Sequence, residues 1–563
     1  MAATASSTSR PPPGPAPQAG AGRFDGFDAR DLLVASLLGL LGAALRVLSW
    51  KQTVVMFNDG PRFLLQARHF ADGKWEEALA DPYHPLYALS VAGMRLLLGG
   101  AEATPAQWER AAVAVSVLAG ALSVVVFYVF LRSAFGRSAA WIGALLLACS
   151  PYAVEFSSDV QSDGLHQLLF LLAVAFAWSG LEQARPALAG WAGICAGLAY
   201  LARPEGLGVA AAAAAVAAGA CLARRWSLPA ALQWGAALLA GVLLVTAPYL
   251  VWLRVESGAW SLTRKKSVTA LTGAIAAPDG PVALGEAPGA EVVFSREVMV
   301  LRHTWKMRQN DEAERRAVGA PPGPGPLARG WSALVEVLHA LVSALRPEVV
   351  LVAVVGMLLC RGRPGLRGVF LLAVGVVYAV AVYGLQVNYG YVSRRHTLTP
   401  AVLLLGYAAL AVPVIGRALL ERARRALKWG RKPSIALATT MVVAFLVAFA
   451  LGKLLRPQAP ASVAERQAAA WVQSQPDLEG PVAAGKRRVA YYAGAPWFPL
   501  RKIPDGAPLV GALRSNGVRY VVADDGDVAA YPDLARPEGA GLRVVYRAGP
   551  EGGRAIVYEI EGG

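Results

Sequence analysis

Residues 228–253 read LPAALQWGAALLAGVLLVTAPYLVWL, 26 residues without one Asp, Glu, Lys or Arg. A helix needs roughly 20 apolar residues to cross the hydrocarbon core of a bilayer, so this run is long enough to do so. Working outward, ten more apolar runs lie near 32–48, 109–131, 139–157, 164–181, 188–202, 206–223, 347–360, 367–386, 397–416 and 434–453. Those at 139–157, 188–202, 206–223 and 347–360 are short for a span. The fold expected is an α-helical polytopic membrane protein with about eleven transmembrane helices. Composition agrees. Of 563 residues 55% are apolar and 16% charged, and the mean hydropathy is +0.44. A soluble domain carries roughly 25% charged residues. A nucleic-acid binder, a cytosolic enzyme and a disordered scaffold are excluded.

The net charge of +16 is read against topology, because Lys and Arg are retained on the cytoplasmic side of short loops. With the N-terminus inside, Arg132 and Arg137, Arg185, Arg224 and Arg225, and Arg361, Arg363 and Arg367 all fall inside. So does the basic group from Arg417 to Lys432. Eleven spans then place the C-terminal tail outside. Residues 1–30, rich in Pro, Ala, Gly and Ser, are expected to be a disordered cytoplasmic tail. The first apolar run contains Arg46 and lacks a small-residue cleavage site, so it reads as an uncleaved anchor. The membrane domain covers 31–455, with large outer loops at 49–108 and 254–346. Segments 85–98 and 331–345 are amphipathic and suit the membrane surface. The four cysteines lie in or beside apolar runs and form no CxxC pair, so neither a disulfide framework nor zinc is implied.

Residues 457–563 change character. A helix is expected at 461–475, strands at RVAYYAG (488–494), VRYVVAD (518–524) and the terminal pair LRVVYRAG and RAIVYEI, and a helix between two of these strands. This is a small extracytoplasmic α/β domain. It has no phosphate loop, no metal-ligand cluster and no nucleophile with a base, and is assigned no chemistry.

Candidate chemistry gathers at the outer ends of the spans. Asp59 and Arg62, in the stretch Phe57-Asn58-Asp59-Gly60-Pro61-Arg62, fall on one face of a helix starting at the proline. The acid can serve as a base, the Arg as a phosphate ligand, or the pair as a helix cap and a solvated charge. His84, in Asp81-Pro82-Tyr83-His84-Pro85, suits phosphate binding, proton transfer or a plain turn. Asp159 and Asp163 stand at a membrane boundary, where they can orient a sugar, hold a cation or cap a helix. Arg203 and Glu205 flank Pro204 between two short apolar runs, as in a broken hairpin, and suit either a cavity or a structural pair. Arg264, Lys265 and Lys266 open the second outer loop. Arg394 and Arg395 occupy a short outer loop, where basic residues break the positive-inside pattern and so suggest an anionic ligand or snorkelling.

In order and topological side these elements resemble the GT-C superfamily of membrane glycosyltransferases. They are most similar to the branch containing protein O-mannosyltransferases, the lipid A aminoarabinose transferase and bacterial relatives of unassigned acceptor. The elements are Asp59-Gly-Pro-Arg62, His84-Pro-Leu-Tyr87, Arg203-Pro-Glu-Gly206 and Arg394-Arg395-His-Thr-Leu-Thr-Pro400, within about 30–455. The resemblance implies an enzyme in the bacterial cytoplasmic membrane. It would move a sugar from a polyprenyl-phosphate donor, with inversion, to an acceptor on the outer face: a glycolipid, a glycan or a protein. It implies Asp59 as the base or acceptor-positioning acid, with Arg62 facing the lipid phosphate. The position ahead of the Pro-Leu element falls on His84, where some members keep a Lys. Arg264 and Lys265 become further phosphate ligands. Because the leaving group is a monophosphate that Arg and Lys can stabilise, no metal or other cofactor is expected, although Asp159 and Asp163 keep a cation open. The competing reading is a transporter or flippase for an anionic lipid or lipid-linked sugar. Transporters carry paired interrupted helices in both halves. Only one break is visible here, at Arg203-Pro204.

Overall fold

The computed structural model describes residues 27–99, 104–181, 184–258, 260–264, 325–360, 365–427, 434–455, 460–476, 478–500, 503, 509–551 and 553–561. Lys265, Lys266, most of the tail 1–30 and most of the second long loop lie outside them.

Helix α1 (Ala29–Gln52) opens at a reciprocal capping box between Asp28 and Asp31. The first long loop holds α2 (Gly60–Ala71), α3 (Trp75–Ala80) and α4 (Pro85–Leu97). Both α2 and α4 carry Pro in the first turn, where a missing N–H costs no intrahelical bond. The chain continues through α5 (Pro105–Phe135), α6 (Arg137–Ala148), α7 (Pro151–Phe156), α8 (Asp163–Leu181), α9 (Pro186–Ala202), a 3-10 turn (Pro204–Leu207), α10 (Gly208–Leu222) and α11 (Leu228–Ser257). Past the second long loop come α12 (Pro326–Leu345), α13 (Pro347–Leu359), α14 (Leu366–Tyr389), α15 (Arg394–Ala401), α16 (Leu404–Leu427) and α17 (Ile435–Leu454).

Among the described residues, eight helices are long and apolar enough to cross a membrane, or nine if α12 and α13, bent by 98°, form one span. The shorter apolar helices α6 and α9 account for the remaining runs read from the sequence. Amphipathic α4 buries Tyr87, Ala88, Val91 and Ala92 on one face. Two boundaries differ from the sequence reading. The run at 139–157 is divided, because α6 stops before Cys149 and Pro151 starts a new helix. The run at 397–416 begins at Leu404 instead. Residues 394–401 form the separate helix α15, with Pro400 removing an amide donor in its last turn.

The C-terminal part comprises α18 (Pro460–Gln473), β1 (Val482–Ala484), α19 (Arg487–Ala493), β2 (Trp497–Pro499), α20 (Leu509–Ser515), β3 (Tyr520–Asp524), three helical turns between 525 and 540, β4 (Leu542–Ala548) and β5 (Ala555–Ile560). The sheet order is β2-β1-β3-β5-β4, parallel across β2, β1 and β3 and antiparallel across β3, β5 and β4. RVAYYAG, expected as a strand, is helix α19. Parallel β1 and β2 need a crossover, and this segment supplies it. The strands it connects have three residues each, too few to show alternation in the sequence.

This domain is docked on the first long loop. The Met56 N–H donates to the Tyr492 hydroxyl at 2.9 Å, Arg488 donates to the Met56 carbonyl at 3.2 Å, and the Tyr491 hydroxyl donates to the Pro105 carbonyl at 2.9 Å. Phe63, Tyr87 and Trp108 share one apolar core with Val472 and Val489. At the other end of the bundle, buried Asp31 accepts from Tyr128 at 2.8 Å and pairs with Arg132 at 3.2 Å and Arg137 at 2.9 Å.

Candidate active site

The site is assembled where helices break. Arg203, ahead of Pro204, is held in extended backbone (φ −155°, ψ 140°), the conformation a following proline favours. Its side chain therefore leaves the helix axis. Asp163 is the first residue of α8 and Arg395 the second of α15, and Asp59 precedes α2. Asp59 makes no capping bond with its side chain. Its carboxylate reaches Arg395 at 3.3 Å.

These residues form one chain of alternating charge. Arg395 donates from Nη1 to Asp59, and from Nε and Nη2 to Asp163 Oδ2 at 3.1 and 2.7 Å. The other oxygen of Asp163 accepts from Arg203 Nη1 at 2.6 Å, and Arg203 Nε donates to Glu205 at 2.5 Å. Asp163 and Arg203 are buried. The two ends are more open, with the Asp59 and Glu205 side chains 24% and 26% exposed. The guanidinium of Arg395 also lies 4.6 Å over the Phe57 ring. Such a chain keeps each buried charge compensated while its open ends face solvent.

Asp159 braces the chain from behind. It accepts from the backbone N–H of Phe57 at 2.9 Å and of Val160 at 2.6 Å, and from Gln161 at 3.3 Å. Burial raises its pKa above the ordinary carboxylate value, against these hydrogen bonds. It thereby ties the 157–162 turn to the segment leading into Asp59.

On the other flank of Asp59, buried Arg62 pairs with Asp81 at 2.5 Å. Asp81 also accepts from the Tyr83 N–H at 2.8 Å, and Arg62 stands 5.4 Å over the Tyr83 ring. The Tyr83 phenol is raised well above its usual pKa, first by burial and then by Asp59, with which it is hydrogen-bonded. Arg394 lies 4.7 Å over the Tyr152 ring, and Lys453 lies 3.6 Å from the same ring and bonds its hydroxyl. His84 is buried, with Nε2 at 3.1 Å from the Thr263 hydroxyl and its ring against Tyr200 and Tyr249. Arg264 is 3.8 Å from Glu256 and 5.4 Å over Trp252.

Of the residues singled out in the sequence, Asp59, Asp163, Arg203, Glu205 and Arg395 are brought into one connected cluster, with Asp159 behind it. Arg62 and Arg394 flank it, while His84 and Arg264 are held by aromatic neighbours. Lys265 is outside the described residues. Sequence reasoning missed Asp81, Tyr83 and Lys453 as participants. The available signal for Lys453 was a lone cation at the end of the last apolar run. Among the described residues no group of three His, Cys, Asp or Glu is placed to hold a metal ion.

Residues 105–252 match the model of a family described as dolichyl-phosphate-mannose-protein mannosyltransferase. No curated protein matches the chain by sequence. Among solved structures, ArnT from Cupriavidus metallidurans, bound to undecaprenyl phosphate, aligns over 95% of this chain and 99% of its own at 13% identity, with a TM-score of 0.55. The Archaeoglobus fulgidus oligosaccharyltransferase, tethered to an acceptor peptide containing the NVT sequon, aligns over 95% of this chain and 75% of its own at 14% identity, with a TM-score of 0.57.

Proposed function

This chain has the GT-C fold, and from its charged cluster we propose that it transfers a sugar from a polyprenyl-phosphate donor to an acceptor on the outer face of a bacterial cytoplasmic membrane. The observation that carries the proposal is the Asp59–Arg395–Asp163–Arg203–Glu205 chain at the break points of the bundle. Undecaprenyl phosphate, bound in ArnT, is the kind of leaving group that such a cluster suits.

Arg395 is gripped from one side by Asp163 at 2.7 Å and more loosely by Asp59 at 3.3 Å. A phosphodiester oxygen arriving at Nη1 takes the place of Asp59. That frees the Asp59 carboxylate for the acceptor hydroxyl. The acceptor oxygen then bonds to the anomeric carbon from the face opposite the phosphate. The bond from that carbon to the phosphate oxygen breaks, its electrons stay on the phosphate, and the proton passes to Asp59. The phosphate gains a second negative charge, which Arg395 and the nearby Arg394, Arg62 and Lys453 stabilise in a low-dielectric setting. Asp163 and Arg203 do not react; they fix the guanidinium.

The test is to incubate the purified protein in nanodiscs with a synthetic undecaprenyl-phosphate sugar and follow release of undecaprenyl phosphate. Release that depends on Asp59 and Arg395 supports the reading, and the absence of any release with a panel of sugars contradicts it. Sidedness is read separately with a reporter fused after residue 563, which should be active only in its periplasmic form.

A further inference from the structure

Two residues along from Asp59, a cavity of 620 Å³ opens between α2 and the C-terminal domain, and it is separate from the charged chain. One wall is Pro61, Leu65 and Arg68 of α2; the other is Arg487, Tyr491 and Trp497. The cavity owes its shape to docking, since Tyr491 bonds across to the Pro105 carbonyl at its edge.

The arginines here are unlike their neighbours. Arg62 is paired with Asp81, Arg488 with Glu465 and Arg395 with two aspartates. Among the described residues Arg68 and Arg487 make no salt bridge. Their guanidinium groups rest on rings instead, Arg68 at 5.8 Å from Trp108 and Arg487 at 4.7 Å from Trp497. The Nε of Arg68 is buried without a hydrogen-bond partner. Burial, the largest cause, pulls the Arg487 pKa down to about 10, and it feels the charges of Arg62, Asp81 and Asp59. Half-buried cations with no carboxylate in direct contact cost free energy unless an anion completes them. Arg favours phosphate and carboxylate through its planar fork, and aromatic walls with a few convergent polar groups are the ordinary makeup of a small-ligand site.

We propose that this cavity binds an anionic saccharide, with its phosphate or carboxylate between Arg68 and Arg487 and its ring against Trp497 and Tyr491. Calling that saccharide the acceptor rests on the glycosyl-transfer reading above. The acceptor class is then an acidic glycan or glycolipid headgroup, presented within reach of Asp59 by the C-terminal domain.

The full chain in nanodiscs is titrated by saturation-transfer NMR with glucose 6-phosphate, glucuronate, glucose and inorganic phosphate. The two acidic sugars should bind at least tenfold more tightly than glucose or inorganic phosphate. The Arg68→Gln/Arg487→Gln double variant should lose at least tenfold in that affinity, and the double Lys variant should recover part of it. Equal binding of glucose, or of inorganic phosphate, to the wild type overturns the assignment, and this comparison needs no variant to fold. Unchanged binding by the double Gln variant overturns it as well. Donor turnover is measured separately on the wild type. Selective binding without turnover contradicts the transfer reading alone, and turnover without selectivity contradicts the cavity assignment alone.

Discussion

Arg395 and Asp163 stand 232 positions apart in the chain and meet at 2.7 Å, the tightest contact of the Arg395 guanidinium. Because Asp163 also holds Arg203 at 2.6 Å, one buried carboxylate serves two cations, buried Arg203 and half-buried Arg395.

Asp163→Asn leaves both arginines short of a counter-charge. Breaking a buried pair typically costs about 3–5 kcal/mol. The variant should melt well below the wild type in detergent and should lose donor turnover. A melting temperature equal to the wild type would remove Asp163 from its place at the centre of the cluster.

Arg395→Lys keeps the charge but cannot hold Asp163 through two nitrogens and reach Asp59 with a third. Turnover should fall at least tenfold, with a weaker apparent affinity for the donor. Wild-type kinetics in this variant would mean that charge alone suffices.

Gly120 faces Arg46, a fully buried cation that donates to the Ser157 hydroxyl at 2.6 Å. A Cβ at position 120 would stand 2.6 Å from that hydroxyl and closer still to the guanidinium. Gly120→Ala should cost about 1–3 kcal/mol, the scale of overpacking. It should also disturb the 157–162 turn that carries Asp159. Thermal melting checks this, and an unchanged midpoint would show that the helices part freely.

His396 accepts the Ser393 N–H at Nδ1, 3.2 Å away, and so caps the helix bearing Arg395. Burial is the main cause that pulls its pKa down from 6.5 to about 4, with Arg203, Glu205, Arg395 and Asp163 as the surrounding charges. Between those two values the unfolded chain takes up a proton that the folded one refuses. Stability therefore rises with pH across that window and is lost on acidification. Melting at pH 5 and pH 7.5 should show a larger acid loss for wild type than for His396→Gln. Equal losses would contradict this.

The bundle was legible because its signal is long and repetitive: apolar runs with basic loops between them need no tertiary information. The same holds for the break at Arg203-Pro204, which Pro dictates locally. The partners were not legible. Nothing near Asp59 in sequence indicates Arg395, because their contact is made by folding across four segments. Arg62 was seen as a phosphate ligand, and its bond to Asp81 depends on how α2 and the loop after α3 pack. Strands β1 and β2 were missed because three residues cannot display a period of two.

The most direct measurement is the turnover of Asp59→Asn in nanodiscs with a synthetic undecaprenyl-phosphate sugar. Asn keeps the shape and is a poor base, and Asp59 makes no side-chain capping bond whose loss would confuse the result. Release of undecaprenyl phosphate should fall by about 10²–10⁴, the usual scale for a positioned acid or base, with donor binding retained. Release at the wild-type rate would contradict the account.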